Sequence, residues 1–313
     1  MTALLFGILT VALIGPIPQA LSRAAWPLYA PRAAMALWQA VALAAVLSAF
    51  STGLAIAANL LSPGPDGAPT TNPFDEAARL GWFLWTVYVV IFALTLLVGA
   101  RLMYTAVRVG IRTRARRNAH RNLIDLVDRV DMHRQTGRDI RVLDVEAPLA
   151  YCLPGLRSSR VVLSEGVLAR LSDAELSAVI EHERAHLRAR HDLVLEAFIA
   201  LHEAFPRFVR SRSALGAVEL LAEALADDQA ANATAPTTVG RALVACADAT
   251  APRGAMAVGG PTTLVRVRRL CDVRPVPLIS ATAYVLAVAI LVVPTLAVAI
   301  PWLTELHRLV SHA

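Results

Sequence analysis

The sequence predicts a mainly α membrane protein, with four transmembrane helices and a polar α+β domain inserted between the third and the fourth. Three observations predict it. Of 313 residues, 56% are hydrophobic and 17% charged, and the mean hydropathy is +0.54, well above that of an ordinary soluble protein. The apolar residues gather in four long stretches, three before residue 100 and one near the end. The charged residues gather between the third and fourth stretches, where helical and strand-like patterns follow one another at short intervals.

Residues 4–20 form the first stretch, interrupted by Pro16 and Pro18. No basic residue opens it and no cleavage site follows, so it reads as a short span rather than a signal peptide. A tight connection over 22–32 carries Arg23 and Arg32. Residues 33–61 form a second span, long enough to cross with tilt. A Pro/Gly-rich loop runs from Ser62 to Pro73 without a basic residue, and Asp66, Asp75 and Glu76 lie in or beside it. The third span covers about 80–98 and the fourth about 278–300, with a kink expected at Pro294. Trp26, Trp38, Trp82, Trp85 and Trp302 all lie in or beside these stretches, where interfacial aromatic belts occur.

Arginines set the expected orientation. The first loop is basic and the second is not. Arg101, Arg108, Arg112, Arg114, Arg116 and Arg117 follow the third span, and Arg266, Arg268, Arg269 and Arg274 precede the fourth. The positive-inside rule then places both termini outside and the polar portion in the cytoplasm of a multi-pass plasma-membrane protein. The expected division is a membrane domain over 1–103, a cytoplasmic domain over 104–275, the fourth helix over 276–303 and a short external tail over 304–313. The basic run at 112–117 suits a juxtamembrane anchor to anionic lipid better than a nucleic-acid patch, so the bilayer is the expected partner and no nucleic acid is.

The chain has no lysine: all 30 basic residues are arginine. That excludes a P-loop lysine, a Schiff base and a Ser-x-x-Lys acylation site. Cys152, Cys246 and Cys271 all fall in the segment assigned to the cytoplasm, and an odd number there predicts free thiols.

Within the polar portion, 118–135 reads as a helix with Leu123, Leu126, Val127 and Val130 on one side, ended by Gln135-Thr136-Gly137. Three β-prone pieces follow at 140–145, 149–153 and 160–164, with a turn at Pro154-Gly155 between the last two. Ser172 and Glu175 form a capping box that opens a helix with Leu176, Val179 and Ile180 as its apolar stripe. Further helices are expected over 193–205, stopped by Pro206, and over 214–231. Residues 232–262, rich in Ala, Thr, Gly and Pro, loop in part.

The capped helix carries the chemistry. His182 and His186 stand four residues apart, one turn along one helix face, where both imidazoles reach a single ion. Glu183 lies about 100° round the helix, which suits a base rather than a ligand. An open catalytic zinc site takes three protein ligands, and the helix at 214–231 offers Glu219, Glu223, Asp227 and Asp228. By spacing alone Glu219 and Glu223 are both candidates for the third ligand. Asp227, one turn after Glu223, is placed to accept the spare N–H of a ligating histidine.

The run from Val179 through His182, Glu183 and His186, followed by Glu223 and Asp227, resembles the membrane metallopeptidases that include the BlaR/MecR signal transducers, and more distantly the HtpX and CAAX-prenyl proteases. The similarity extends to Ala150-Tyr151-Cys152-Leu153-Pro154-Gly155, to Val161 through Gly166 and to the membrane layout, and its short form looks most like actinobacterial members without a sensor domain. The resemblance implies a cytoplasmic gluzincin-type metalloprotease domain with one zinc ion per chain on His182, His186 and Glu223, Glu183 as general base and acid, and Asp227 behind the ligands. Relatives carry Asp five residues after the second histidine, where this chain has His191 and then Asp192. Both are taken as supporting polar groups, with His191 a surface or packing histidine by default.

The implied reaction is zinc-assisted hydrolysis of a peptide bond. Ala150, Tyr151 and Cys152, on an edge strand, are candidates to hold an extended substrate by strand addition. Tyr151 and the arginines nearby are also candidate oxyanion helpers, among which the sequence does not choose, and His202 is read as structural. The resemblance implies cleavage of a cytoplasmic BlaI-like repressor or of the chain itself, in signal-dependent gene regulation such as an antibiotic response. A homodimer is left open. Without a penicillin-binding domain or any lysine, a β-lactam cannot be sensed by acylation in this chain. Rival readings are a quality-control or prenyl-type protease, a site-2-type intramembrane protease, and a non-enzymatic receptor or scaffold. The polar surroundings of His182 argue against the intramembrane reading, and the complete motif argues against the scaffold.

Overall fold

The computed structural model describes residues 2–57, 77, 80–127, 139–155, 159–205, 212–247, 256–257, 262–272 and 276–311. It is mostly helical, and four of its helices are long and apolar enough to cross a membrane: Ala3–Arg23, Pro31–Ala57, Trp82–Ile124 and Pro277–Leu296. The loop expected over Ser62–Pro73 and the helix end at Gln135-Thr136-Gly137 lie outside the described residues.

The first stretch is two helices, α1 (Thr2–Ile14) and α2 (Pro16–Arg23), where one was expected. Pro16 cannot donate to α1, and its fixed φ instead opens α2 at the first helical position. A short 3₁₀ turn at Trp26–Leu28 leads to α3 (Pro31–Ala57), against which α1 packs.

The third span also departs from expectation. It does not end near residue 98: α4 runs from Trp82 to Val127, 46 residues and about 69 Å, and absorbs the start of the helix expected at 118. Nothing between Gly99 and Arg117 breaks a helix, since arginine and alanine favour one and an isolated glycine is tolerated. The change from apolar to polar composition therefore falls inside one continuous helix. At the other end, α11 (Pro277–Ser311) is continuous through Pro294 and extends into the expected tail.

The polar portion is built on a small sheet: β1 (Ile140–Leu143), β2 (Ala150–Leu153), β3 (Arg160–Ser164) and β4 (Met256–Ala257), in the order β1-β3-β2-β4. β1 runs parallel to β3, while β2 is antiparallel to both β3 and β4. Both faces are covered, because successive side chains leave a strand on opposite sides. Ala150, Val161 and Leu163 join Val179, Ala230 and Leu243 on one face. Tyr151, Leu153 and Val162 meet Ile124, near the end of α4, on the other.

The Leu163-Ser164-Glu165-Gly166 corner fixes where the sheet hands over to helices. The Ser164 hydroxyl donates to the Ala147 carbonyl at 2.6 Å and accepts from the Leu149 and Val167 amides, capping α5 (Glu165–Arg170). Gly166 is needed here because a Cβ would run into the Glu146 carbonyl.

Two pairs of helices follow. α6 (Asp173–Ala189) and α7 (His191–Ala204) meet at Arg190, whose positive φ of 52° turns the chain sharply between them. α8 (Arg212–Ala233) packs on α6, and α9 (Pro236–Ala245) covers α6 further along. Val218, Leu221 and Ala222, at helical spacing, press α8 onto α3 beside Ala40, Val41 and Trp38. The helix that carries Glu223 is thus packed directly on a candidate span. The short helix α10 (Thr263–Cys271) lies against α8 and α9.

Candidate active site

α6 begins as its sequence requires. The Glu175 carboxylate accepts the Ser172 backbone N–H at 3.0 Å and its hydroxyl at 2.8 Å, holding the first turn. From there the helical period carries His182, Glu183 and His186 inward, where they are 2%, 0% and 1% exposed.

The structure brings His182, His186 and Glu223 together, with one ligand-type atom of each lying within 4.8 Å of the others. The two Nε2 atoms are 3.2 Å apart, and each lies 3.4 Å from a Glu223 oxygen. A tetrahedron with zinc–nitrogen bonds of about 2.0–2.1 Å has edges of about 3.3–3.4 Å, so these spacings and this donor set fit a zinc ion. Glu219, the rival by spacing, is exposed and falls outside the cluster.

Each histidine turns Nε2 inward and has its Nδ1 held by another residue. His182 Nδ1 lies 3.1 Å from Asp227 Oδ1, and Asp227 is fully buried. His186 Nδ1 lies 2.9 Å from Nδ1 of His191. His191 is therefore neither at the surface nor a mere packing residue: the turn at Arg190 folds it back onto the candidate ligand. Asp192 is buried too, paired with Arg117 of α4 at 3.1 Å and with Arg190 at 3.1 Å. Arg117 belongs to the basic run expected to face lipid, but its charge is spent on Asp192 and, at 2.7 Å, on Glu196.

Glu183 points elsewhere, as its place on the helix requires. Among the described residues neither carboxylate oxygen has a nitrogen or oxygen hydrogen-bond partner, and both are buried. The group beside it is the Cys152 thiol of β2. Burial pushes the Glu183 carboxyl up to about 7, a range suited to taking and returning a proton near neutrality. Burial also disfavours charge on His182, but Asp227 and Glu223 outweigh it and raise that imidazole to about 9. His186 has no such carboxylate behind it, and burial drives it down to about 3. Glu223 stays ionised: burial works against it, yet His186, His182 and Arg266 bring it to about 2.

Three expectations for β2 need correction. Tyr151 and Cys152 do not form a free edge, because β4 pairs with them in the register Tyr151–Ala257 and Cys152–Met256. Tyr151 does not face the histidine cluster; its hydroxyl lies 2.9 Å from His120 Nε2 on α4, on the opposite face of the sheet. Ala150 faces the α6 side but packs into the core there. His202, read as structural, lines an apolar cavity with Trp38 and Phe198.

Arg266 escaped the sequence reading of the site. It is 2% exposed on α10, donates to Asp227 Oδ2 from Nε at 2.8 Å and to Oδ1 from Nη2 at 2.6 Å, and sets Nη1 2.8 Å from Glu223. In the sequence it is one of four arginines ahead of the fourth span. Its i, i+3 partner Arg269 was the available hint, since the two make one face of a short helix after an acidic one.

Residues 113–255 match the model of peptidase family M48. The match takes in β1 to β3, α6 with His182, Glu183 and His186, and α8 with Glu223 and Asp227, and it stops short of α10. It supports a metallopeptidase activity, and the four helices long and apolar enough to cross a membrane suggest a membrane protein. No curated protein and no solved structure matches the chain.

Proposed function

We propose that the chain is an integral-membrane zinc endopeptidase that holds one ion on His182, His186 and Glu223. The observation that carries this reading is the near-tetrahedral spacing of two buried imidazoles and one carboxylate, beside a buried carboxylate with no competing nitrogen or oxygen partner among the described residues. When bound there, zinc supplies the Lewis acidity that peptide hydrolysis needs. The protein's own residues do the rest. Glu183 takes the proton of the attacking water and returns it to the departing amine nitrogen, which its raised pKa suits. Asp227 fixes the His182 ring through Nδ1, and His191 does the same for His186. Cys152 is a neutral thiol, raised well above its ordinary range by burial and by Glu183, so it serves as a neighbour of the base and not as a nucleophile.

The site is shielded: Glu223, at 17% side-chain exposure, is its most accessible ligand. A substrate paired with Tyr151 and Cys152 must take the place of β4. The positive-inside pattern supports a cytoplasmic site, and the BlaR-like resemblance supports a cytoplasmic repressor, or the chain itself, as the protein cut, in signal-dependent regulation. Purified wild type should hydrolyse an unfolded protein substrate in a chelator-sensitive way. Glu183→Gln should lose about 10²–10⁴-fold of that activity while retaining its zinc. Equal rates in both would remove Glu183 from the chemistry and contradict the proposal.

A further inference from the structure

Building on the zinc reading, we infer that Arg266 is a positioning residue of the metal site, acting through Glu223 and Asp227 together. It lies beyond the matched segment, on an element whose neighbours Val265 and Arg268 are exposed. The guanidinium spans both acids: two of its nitrogens meet the two Asp227 oxygens, and the third meets Glu223. Glu223 and Asp227 are one turn apart on one helix, where like charges repel. A planar fork is suited to overcome that repulsion, because it binds one carboxylate on two parallel bonds and fixes the direction from which it meets the second.

Charge balance points the same way. Three carboxylates, Glu183, Glu223 and Asp227, lie around this site, and the arginine that touches two of them, Glu223 and Asp227, is buried. A buried arginine is retained where its charge is matched. One divalent ion and one guanidinium together balance three carboxylates. Arg269, one turn along the same helix, bonds the Ala224 carbonyl at 3.1 Å and Asp228, and reaches the Leu28 carbonyl of the connection between α2 and α3. α10 is thereby fastened to α8 along the turn from Glu223 to Asp228, which holds the Arg266 fork in register.

The test is zinc affinity of the full-length, detergent-purified protein, measured by competition with a chromophoric chelator. Arg266→Gln should weaken zinc binding by about 10–100-fold, the usual cost of losing a group behind a metal ligand. Arg266→Lys should fall between it and wild type, since a point charge cannot grip both acids. Arg268→Gln, exposed on the same helix, should match wild type. Combining Arg266→Gln with Asp227→Asn should cost no more than about the worse single change, because the two act as a unit. The double variant also removes the buried charge stranded by Arg266→Gln, so it remains measurable if the single variant misfolds. Wild-type affinity in Arg266→Gln, or additive losses in the double variant, would overturn the inference. A wild type that binds no zinc would instead overturn the metal reading itself.

Discussion

The two candidate ligand histidines are identical in sequence terms, one turn apart on one helix, yet their surroundings are opposite. His182 backs onto a carboxylate, Asp227, that is itself gripped by Arg266. His186 backs onto a second imidazole, His191, in the place where His182 has a carboxylate. The first is raised to about 9 and the second lowered to about 3, though both are equally buried. The difference teaches that burial alone does not set the character of a site. What decides is which distant element supplies the group at Nδ1: α8 and α10 on one side, the Arg190 turn on the other.

The largest expected break in this comparison is on the charged side. Asp227→Asn should weaken zinc binding by close to 100-fold, since an amide neither matches Arg266 nor strengthens the imidazole as a ligand; chelator competition reads it directly. On the neutral side, His191→Leu should cost nearer 10-fold by the same measurement, because only an orienting hydrogen bond is lost. Equal losses at the two positions would erase the asymmetry.

A smaller effect should touch both histidines alike. Ser172→Ala removes the cap of the helix they share, and should lower stability by about 1 kcal/mol in thermal or denaturant unfolding without altering the zinc affinity ratio of the two variants above. This contribution has a pH sign. Backbone and hydroxyl bonds from Ser172 hold the Glu175 carboxyl below its ordinary value. The backbone bond survives in Ser172→Ala. The hydroxyl's part of the stabilisation is full above the unfolded pKa of about 4.3 and is lost as pH falls through the lower folded value, where the gap between Ser172→Ala and wild type should narrow. The smallest effect belongs to Glu219→Gln, one turn before Glu223 but exposed. It should leave zinc affinity unchanged, and a tenfold loss there would mean that the third ligand has been misassigned.

The same contrast between local and distant groups explains what could be read from the sequence. The capped helix, the one-turn spacing of His182 and His186 and the apolar stripes are local patterns, and local periodicity specifies them. Three strands and four apolar stretches were legible for the same reason. What escaped depends on chain segments meeting across the fold. β4 is two residues long and has strand character only because β2 is beside it. Arg266 counts as a topogenic charge until α10 is seen against α8. His191 looks like a surface histidine until the positive φ of Arg190 turns it inward, a conformation rare for a non-glycine residue and not encoded by any neighbouring turn residue. The continuity of α4 escaped for the opposite reason: composition changes near residue 100, but secondary structure does not.

Zinc content of the purified protein tests the central claim most directly. Wild type and Glu183→Ala should each carry about one zinc per chain, while His186→Ala and Glu223→Ala should carry none. A wild type that stays metal-free after incubation with zinc, or a Glu223→Ala variant that holds the ion as tightly as wild type, would contradict the account.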